Sequence, residues 1–125
     1  MRAPQESMYS GLCHLFNMIP LWGLLYCGWV YYSMREESRH IVPHAREAMI
    51  FHSLLMAATL VFLVAELLRR LIGVLSQSIG SFLHNMNITI FLTVVVAYWA
   101  ICFYGAWRCF SRKNFHYPFI GRPRT

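Results

Sequence analysis

Charged side chains are scarce in this sequence. Only 13% of its 125 residues are charged, whereas 58% are hydrophobic, and soluble domains average about 25% charged residues. Aspartate is absent, and the five acidic residues are all glutamates. Such a chain has too little polar surface to cover the core of a small water-soluble domain. The shortage of charge therefore excludes an ordinary soluble protein and favours an integral membrane protein.

Patterns that carry chemistry are missing too. Cys13, Cys27, Cys102 and Cys109 have neither CxxC nor zinc-finger spacing, which gives little support to a metal site or a disulfide framework. There is no nucleophile–base pair, phosphate-binding loop or pair of catalytic carboxylates, so we predict that the protein is not an enzyme. The first ten residues are polar and the apolar run that follows lacks a small-residue cleavage site, so we predict no cleavable signal peptide and expect this run to remain in the mature protein.

The basic residues outnumber the acidic ones. The formal net charge of +6 comes from ten arginines and one lysine set against five glutamates. These basic residues lie in short clusters beside apolar runs, where juxtamembrane anchors face anionic lipid headgroups. We therefore predict membrane lipids as partners and no nucleic acid.

Three long apolar runs predict an all-α integral membrane protein with three transmembrane helices. A helix needs about 20 residues, at 1.5 Å per residue, to cross a hydrocarbon core of about 30 Å. The runs at residues 14–33, 48–68 and 86–107 satisfy this length. Pro20 interrupts the first run, and membrane helices tolerate proline when neighbouring groups compensate. We expect a single membrane domain over residues 1–125.

The remaining segments are a polar connector at 34–47, a basic and aromatic tail at 108–125, and residues 71–83 between the second and third spans. Residues 71–83 are too few to cross, and their apolar side chains recur every three or four positions. This pattern predicts a short interfacial helix or a loop. With three spans, the connector and tail share one side and carry eight basic residues, against three on the other side. The positive-inside rule then places the N-terminus outside and the C-terminus in the cytoplasm.

Residues scattered along the chain form a recognisable order. They are Cys13-His14-Leu15, Pro20, His44-Ala45-Arg46-Glu47-Ala48 with Phe51, and Tyr117-Pro118-Phe119. This order resembles a widespread family of small bacterial membrane proteins of unknown function, which is distantly similar to a chloroplast inner-envelope protein-import component and includes some magnetosome membrane proteins. The resemblance covers residues 12–120 and implies three helices in the bacterial cytoplasmic (inner) membrane, but no reaction. The family commonly has Asn and Gln around that phenylalanine, where this chain has Ile50 and His52.

Glu66 is the acidic residue that lies inside a predicted span. A charge at a helix centre costs about 2.5–3.5 kcal/mol on insertion scales. Arg69 and Arg70 lie one turn away, with Arg70 at i+4, so an interfacial ion pair is the simplest interpretation. The alternatives are pairing with another chain, and a proton or ion pathway.

Histidines near the span ends are candidate ligands for haem or for a pigment magnesium. His14 and His52 have this position, but the three-span topology puts them at opposite membrane faces, where they cannot share a metal. Hydrogen-bonded interface histidines are the alternative. His40 and His44 are four residues apart, but Pro43 between them argues against one continuous helix. We predict no metal site and no cofactor, with a pigment or haem at His52 or His14 as the alternative.

The other candidate residues contact lipid or partner proteins. Arg46 and Glu47 open the second predicted helix, where a glutamate is favourable beside the helix dipole and an arginine reaches lipid phosphate. Tyr117, Pro118 and Phe119 lie in the tail, whose mixture of aromatic and arginine side chains is typical of docking segments. A terminus lying against the lipid is the alternative.

These features favour a small, non-catalytic structural or accessory subunit. It would pack against larger membrane-protein subunits, for example in a respiratory or photosynthetic complex. The aromatic content of 16% and the missing site chemistry support this interpretation. The alternatives are a protein-translocation or channel component, which needs a polar seam across facing helices, and a pigment- or haem-binding membrane subunit.

Overall fold

The computed structural model describes residues 3–113, 115–117 and 120, and its regular structure is helical. The helices are α1 Ala3–Phe16, α2 Trp22–Met34, α3 Ile41–Leu75 and α4 Gln77–Phe110. The all-α prediction is confirmed. The prediction of three transmembrane helices is wrong, because within the described residues two helices, α3 and α4, are long and apolar enough to cross a membrane.

The first predicted span, residues 14–33, is broken in two. α1 ends at Phe16, and Pro20 lies in the turn that follows. Proline has no amide hydrogen to donate to the carbonyl four residues earlier, and the carbonyl of Phe16 accepts instead from the amide of Ile19 at 3.0 Å. α2 has 13 residues and therefore extends about 20 Å at 1.5 Å per residue. It is too short to cross a hydrocarbon core of about 30 Å.

The turn after α1 folds α2 back against it. Leu21, the last residue of the turn, has a φ of 68°, a left-handed conformation that is uncommon for residues other than glycine. Gly23 allows the close approach of the two helices, since a Cβ there would stand 2.6 Å from the Cα of Asn17. The side chain of Asn17 donates a hydrogen bond to the carbonyl of Ala48 at 2.7 Å. The turn is therefore also attached to α3.

α3 and α4 replace the second and third predicted spans. They contain 35 and 34 residues and leave Ser76 alone between them. Residues 71–83 thus form the end of α3 and the start of α4, and the prediction of an interfacial helix or loop there is wrong. Gly80 lets the two helices meet closely, because a Cβ on Gly80 would stand 2.8 Å from the Cα of Gly73.

The apolar side chains of α3 and α4 are mostly uncovered. In the most apolar stretch of 18 residues, 22% of the residues are buried in α3 and 11% in α4. An apolar helix from the core of a soluble protein would be buried on most of its surface. Exposed apolar surface of this extent is what lipid or partner helices cover.

The chain divides into two compact units. Unit 1 comprises residues 1–53 and 99–125, and unit 2 comprises residues 54–98. Within unit 2, Phe62 and Phe91 stack with their ring centroids 4.2 Å apart. The core of unit 1 draws on all four helices and the tail, and includes Cys13, Cys27, Val30, Ile41, Ala45, Cys102 and Tyr117. The single membrane domain expected from the sequence stays a prediction.

Candidate functional site

The tail after α4 packs into the core of unit 1 through Tyr117. This side chain is 1% exposed, and its hydroxyl shares a hydrogen bond of 2.7 Å with Nδ1 of His14 in α1. Its ring stacks on Phe51 of α3, with centroids 4.0 Å apart. The described part of the tail therefore packs against its own chain. Pro118 and Phe119, predicted to dock beside it, lie outside the described residues.

Glu47 fastens the same tail to the first turns of α3. It is 2% exposed, and its Oε1 lies 2.7 Å from Nδ1 of His116, which donates the hydrogen bond. The backbone amide of Tyr117 donates to the other carboxylate oxygen at 3.4 Å. Burying a carboxylate is costly unless it is paired and hydrogen-bonded, and these two contacts supply the compensation. Glu47 therefore has a more specific role than the predicted interaction with the helix dipole.

Four histidines come together at this place. The ring of His44 lies edge-on to His14 at 5.6 Å and to His40 at 5.2 Å, and stacks on His116 at 6.0 Å. The sequence predicted no metal site at His40 and His44, because Pro43 between them argues against one continuous helix. α3 begins at Ile41, however, and a proline in the first helical turn removes an amide that has no partner within the helix. Pro43 thus leaves His44 on the helix and facing the cluster.

Cys109 lies beside these histidines, and among the described residues His14, His44 and Cys109 form a group whose donor atoms could hold a metal ion. All three side chains are buried, and their donor atoms lie within 4.8 Å of one another. Nε2 of His14 and Nδ1 of His44 have no hydrogen-bond partner among the described residues, and neither has the buried hydroxyl of Ser10. Burial, with the neighbouring His44 and His116 as further causes, lowers the pKa of His14 to about 3. The imidazole of His14 is therefore neutral at physiological pH.

A pocket of about 190 Å³ adjoins the cluster. Its lining includes His44 and Cys109 together with Glu6, Ser7, Ser10, His40, Arg112 and Lys113. The hydroxyl of Ser7 donates to the carbonyl of Cys109 at 2.9 Å, and the hydroxyl of Ser38 donates to Glu6 at 2.6 Å. Acidic and basic side chains therefore both border this pocket, and two of the potential metal ligands, His44 and Cys109, line it as well.

His52, the other predicted ligand, lies in unit 1 as well but is not part of this group. It is fully buried, and its Nε2 accepts a hydrogen bond from the amide of Leu21 at 3.4 Å. One ring nitrogen of His52 is thus used in holding the turn between α1 and α2. The prediction that His14 and His52 lie at opposite membrane faces depended on a first span that the structure lacks.

Glu66 belongs to unit 2, where it joins a network within the chain. Its Oε1 accepts from Nε of Arg69 at 2.7 Å, and its carboxylate also contacts His84 at 3.1 Å and Asn87 at 3.4 Å. The ion pair uses the arginine at i+3, not Arg70 at i+4. The sequence indicated the arginine partner, but nothing local pointed to His84 and Asn87 on α4.

Two other predicted site residues, Arg46 and Arg70, lie at the surface. Arg46 is exposed beside the buried Glu47, as a lipid-contacting arginine requires. Arg70 lines a shallow surface pocket near the turn between α3 and α4.

Cys109 is the ligand candidate that the sequence did not single out, because a lone cysteine in an apolar run is normally interpreted as a small hydrophobic residue. The sequence did mark His14, His44 and Tyr117, because each lies in one of the short motifs that carry the family resemblance. The fold brings these three residues together.

These features define a membrane-associated helical protein with two candidate spans and a buried histidine cluster. The model of the magnetosome magnetite crystal formation protein family matches residues 5–123. Because the match covers nearly the whole chain, the protein belongs to this family. The predicted resemblance to magnetosome membrane proteins is confirmed, whereas the similarity to a chloroplast import component is not shown. No curated protein and no solved structure matches the chain.

Proposed function

We propose that this protein is a non-catalytic accessory component of a membrane assembly that controls the formation of magnetite crystals. The observation that carries the proposal is the match to the crystal-formation family over residues 5–123. A membrane-associated accessory role is what this membership indicates. The respiratory or photosynthetic, translocation and haem-binding alternatives gain no support from it.

The long helices α3 and α4 would form the membrane anchor. Apolar side chains project from them without cover, for example Leu60 at 63%, Val61 at 69% and Val96 at 63% exposure. Such side chains are suited to lipid tails and to the apolar faces of neighbouring subunits. We expect the anchor to pack against larger membrane proteins of the same assembly.

α2 would lie in the membrane interface. Trp22, Leu25, Trp29 and Tyr32 are spaced three, four and three residues apart, which puts them on one face of the helix. All four are more than half exposed, from 54% for Trp29 to 72% for Tyr32. Tryptophan and tyrosine are enriched at the boundary between lipid and water, so this face is suited to the headgroup region.

Two spans change the predicted orientation. An even number of spans puts both ends of the chain on one side of the membrane, whereas the earlier prediction of an outside N-terminus relied on three. Nine of the eleven basic residues lie outside the α3–α4 turn region, and two, Arg69 and Arg70, lie near it. The positive-inside rule therefore favours cytoplasmic N- and C-termini. We propose that the protein lies in the bacterial inner membrane or in a magnetosome membrane with this orientation.

Deleting the gene in the native host tests the crystal role. Electron microscopy should show magnetite crystals of altered size or shape at normal growth rate, with recovery when the wild-type gene is restored. Unchanged crystals would contradict the proposal, and so would a respiratory growth defect.

Mild solubilisation of native membranes tests the accessory role, since the protein should elute with larger membrane proteins. Elution as a monomer with no partner would count against that part.

A further inference from the structure

We infer that His14, His44 and Cys109 form a binding site for a divalent first-row transition metal of the Zn²⁺ or Co²⁺ type. Their donor atoms come from α1, the first turn of α3 and the end of α4, and they lie within 4.8 Å of one another. Two imidazoles and one thiolate form the kind of ligand set that selects such borderline-soft ions, whereas carboxylates and carbonyls suit harder ones.

The geometry needs little adjustment to hold an ion. Bond lengths of about 2.0–2.1 Å to nitrogen and about 2.3 Å to sulfur put tetrahedral ligand atoms about 3.3–3.6 Å apart. Side-chain rotations that move the donor atoms inward by about 1 Å therefore suffice. The three ligands are 0%, 4% and 4% exposed for His14, His44 and Cys109, so the site is shielded from bulk water.

The hydrogen bonding of the two imidazoles supports the inference independently. Buried polar atoms are nearly always paired, yet Nε2 of His14 and Nδ1 of His44 have no partner among the described residues. In His14 the other ring nitrogen is held by Tyr117 at 2.7 Å. When Nδ1 carries the proton and donates it to the tyrosine oxygen, Nε2 presents its lone pair. Metal-binding histidines are commonly oriented in this way by a second partner.

The polar pocket that adjoins the ligands can supply the fourth one. His44 and Cys109 also line this pocket of about 190 Å³, together with the buried Ser10. A water molecule is the natural fourth ligand, since three protein ligands and one water form the usual open site for zinc. Metal binding releases the thiol proton of Cys109 to solvent, because a coordinating thiol is deprotonated.

Cobalt titration of the untagged, full-length protein in detergent is the direct test. One equivalent of Co²⁺ should produce a thiolate-to-cobalt charge-transfer band and the visible bands of tetrahedral cobalt, and Zn²⁺ should displace both. Cys109→Ser should abolish the charge-transfer band. The matched control is Cys102→Ser, a buried cysteine two turns earlier on the same helix, which should retain it.

Three further measurements distinguish a loss of metal binding from a loss of folding. Zn²⁺ should raise the unfolding temperature of the wild-type protein and of Cys102→Ser, but not that of Cys109→Ser. His44→Gln should weaken Zn²⁺ binding, and Tyr117→Phe should weaken it by about 10- to 100-fold through loss of the partner that orients His14. Absence of saturable Co²⁺ binding by the folded wild-type protein would overturn the inference. Retention of the charge-transfer band in Cys109→Ser would overturn it as well. Neither result bears on the accessory role, which the crystal and co-purification experiments test separately.

Discussion

Tyr117 and His14 are 103 residues apart in the chain, yet the tyrosine hydroxyl lies 2.7 Å from Nδ1 of the histidine. Both side chains are buried, at 1% and 0% exposure. The contact joins α1 to the tail that follows α4. The tail therefore contributes to the core of unit 1, and the stability of this core should depend on it.

Replacing Tyr117 by phenylalanine should destabilise the protein while preserving its ring packing on Phe51. The buried Nδ1 of His14 would lose its partner, which costs about 1–3 kcal/mol in free energy of unfolding. Denaturant unfolding of the metal-free protein in detergent measures the change. The control Tyr32→Phe removes a hydroxyl from a side chain that is 72% exposed and should change little. Equal effects of the two substitutions would show that the hydrogen bond to His14 does not contribute.

Removing the carboxylate of Glu47 should release the tail. Glu47→Ala deletes the acceptor for His116 and for the Tyr117 amide, and hydrogen bonds to charged groups contribute about 1.5–3 kcal/mol each. Trypsin should then cleave faster at Arg112 and Lys113, which follow α4. The control is Glu36→Ala, since the Glu36 side chain is 85% exposed in its pair with Arg35. Unaltered cleavage in Glu47→Ala would mean that other contacts hold the tail.

Two glycines of unit 2 should respond differently to the same substitution. A Cβ on Gly80 would stand 2.8 Å from the Cα of Gly73, whereas a Cβ on Gly73 meets the Cα of Gly80 at an ordinary 3.9 Å. Gly80→Ala should therefore destabilise the hairpin, with overpacking typically costing about 1–3 kcal/mol. Gly73→Ala should be neutral or stabilising by up to about 1 kcal/mol, because alanine favours helix. Unfolding in mixed micelles compares the two variants. Equal stability would contradict the close packing of α3 and α4 at this point.

The Glu66 network should stabilise unit 2. Glu66→Ala removes the partner of Arg69, His84 and Asn87, and an arginine without its carboxylate is unfavourable near the bilayer. The unfolding temperature should fall, and Arg69→Ala should lower it similarly. Arg70→Ala is the matched control, because this neighbouring arginine is not the ion-pair partner of Glu66. A larger effect at Arg70 than at Arg69 would favour the i+4 pair that the sequence suggested.

Site-specific labelling should place both termini on the same side of the membrane. The native cysteines are buried, so single cysteines at the exposed positions Pro4, Gln77 and Lys113 can be tested with a membrane-impermeant maleimide in intact cells. Gln77→Cys should react from outside, whereas Pro4→Cys and Lys113→Cys should react after the cells are opened. Joint labelling of Pro4→Cys and Gln77→Cys from outside would restore the three-span topology.

The part of the fold that could be predicted is the part that depends on local composition. Two of the three apolar runs, residues 48–68 and 86–107, lie within helices α3 and α4, because uninterrupted apolar sequence has few alternatives to helix in lipid. The run at 14–33 met the same length criterion but contains Pro20. Its break depends on the carbonyl of Phe16 and on the approach of Gly23 to Asn17, which composition does not describe.

The candidate site was predicted in pieces. His14, Glu47 and Tyr117 were each singled out, but for separate roles in cofactor, lipid and partner binding. Cys109 and His44 were set aside, since the cysteine had no metal-site spacing and Pro43 argued against a helix. For Glu66 the sequence indicated an ion pair with an arginine one turn away, since an i+3 or i+4 contact lies within one helix. The pair forms with Arg69 at i+3 and not with Arg70 at i+4. The contacts of Glu66 with α4 required the packing of the hairpin.

The sequence by itself determined that this protein is helical, apolar and associated with a membrane, because low charge and long apolar runs leave few other structures. The tertiary structure alone decided that the first run folds back as α1 and α2, and that α1, α3, α4 and the tail meet at His14, His44, Cys109 and Tyr117. The physical reason is distance along the chain. Helix formation and hydrophobicity depend on neighbours within a few turns, whereas the contacts of this cluster join residues up to 103 positions apart, and they form only when the helices pack.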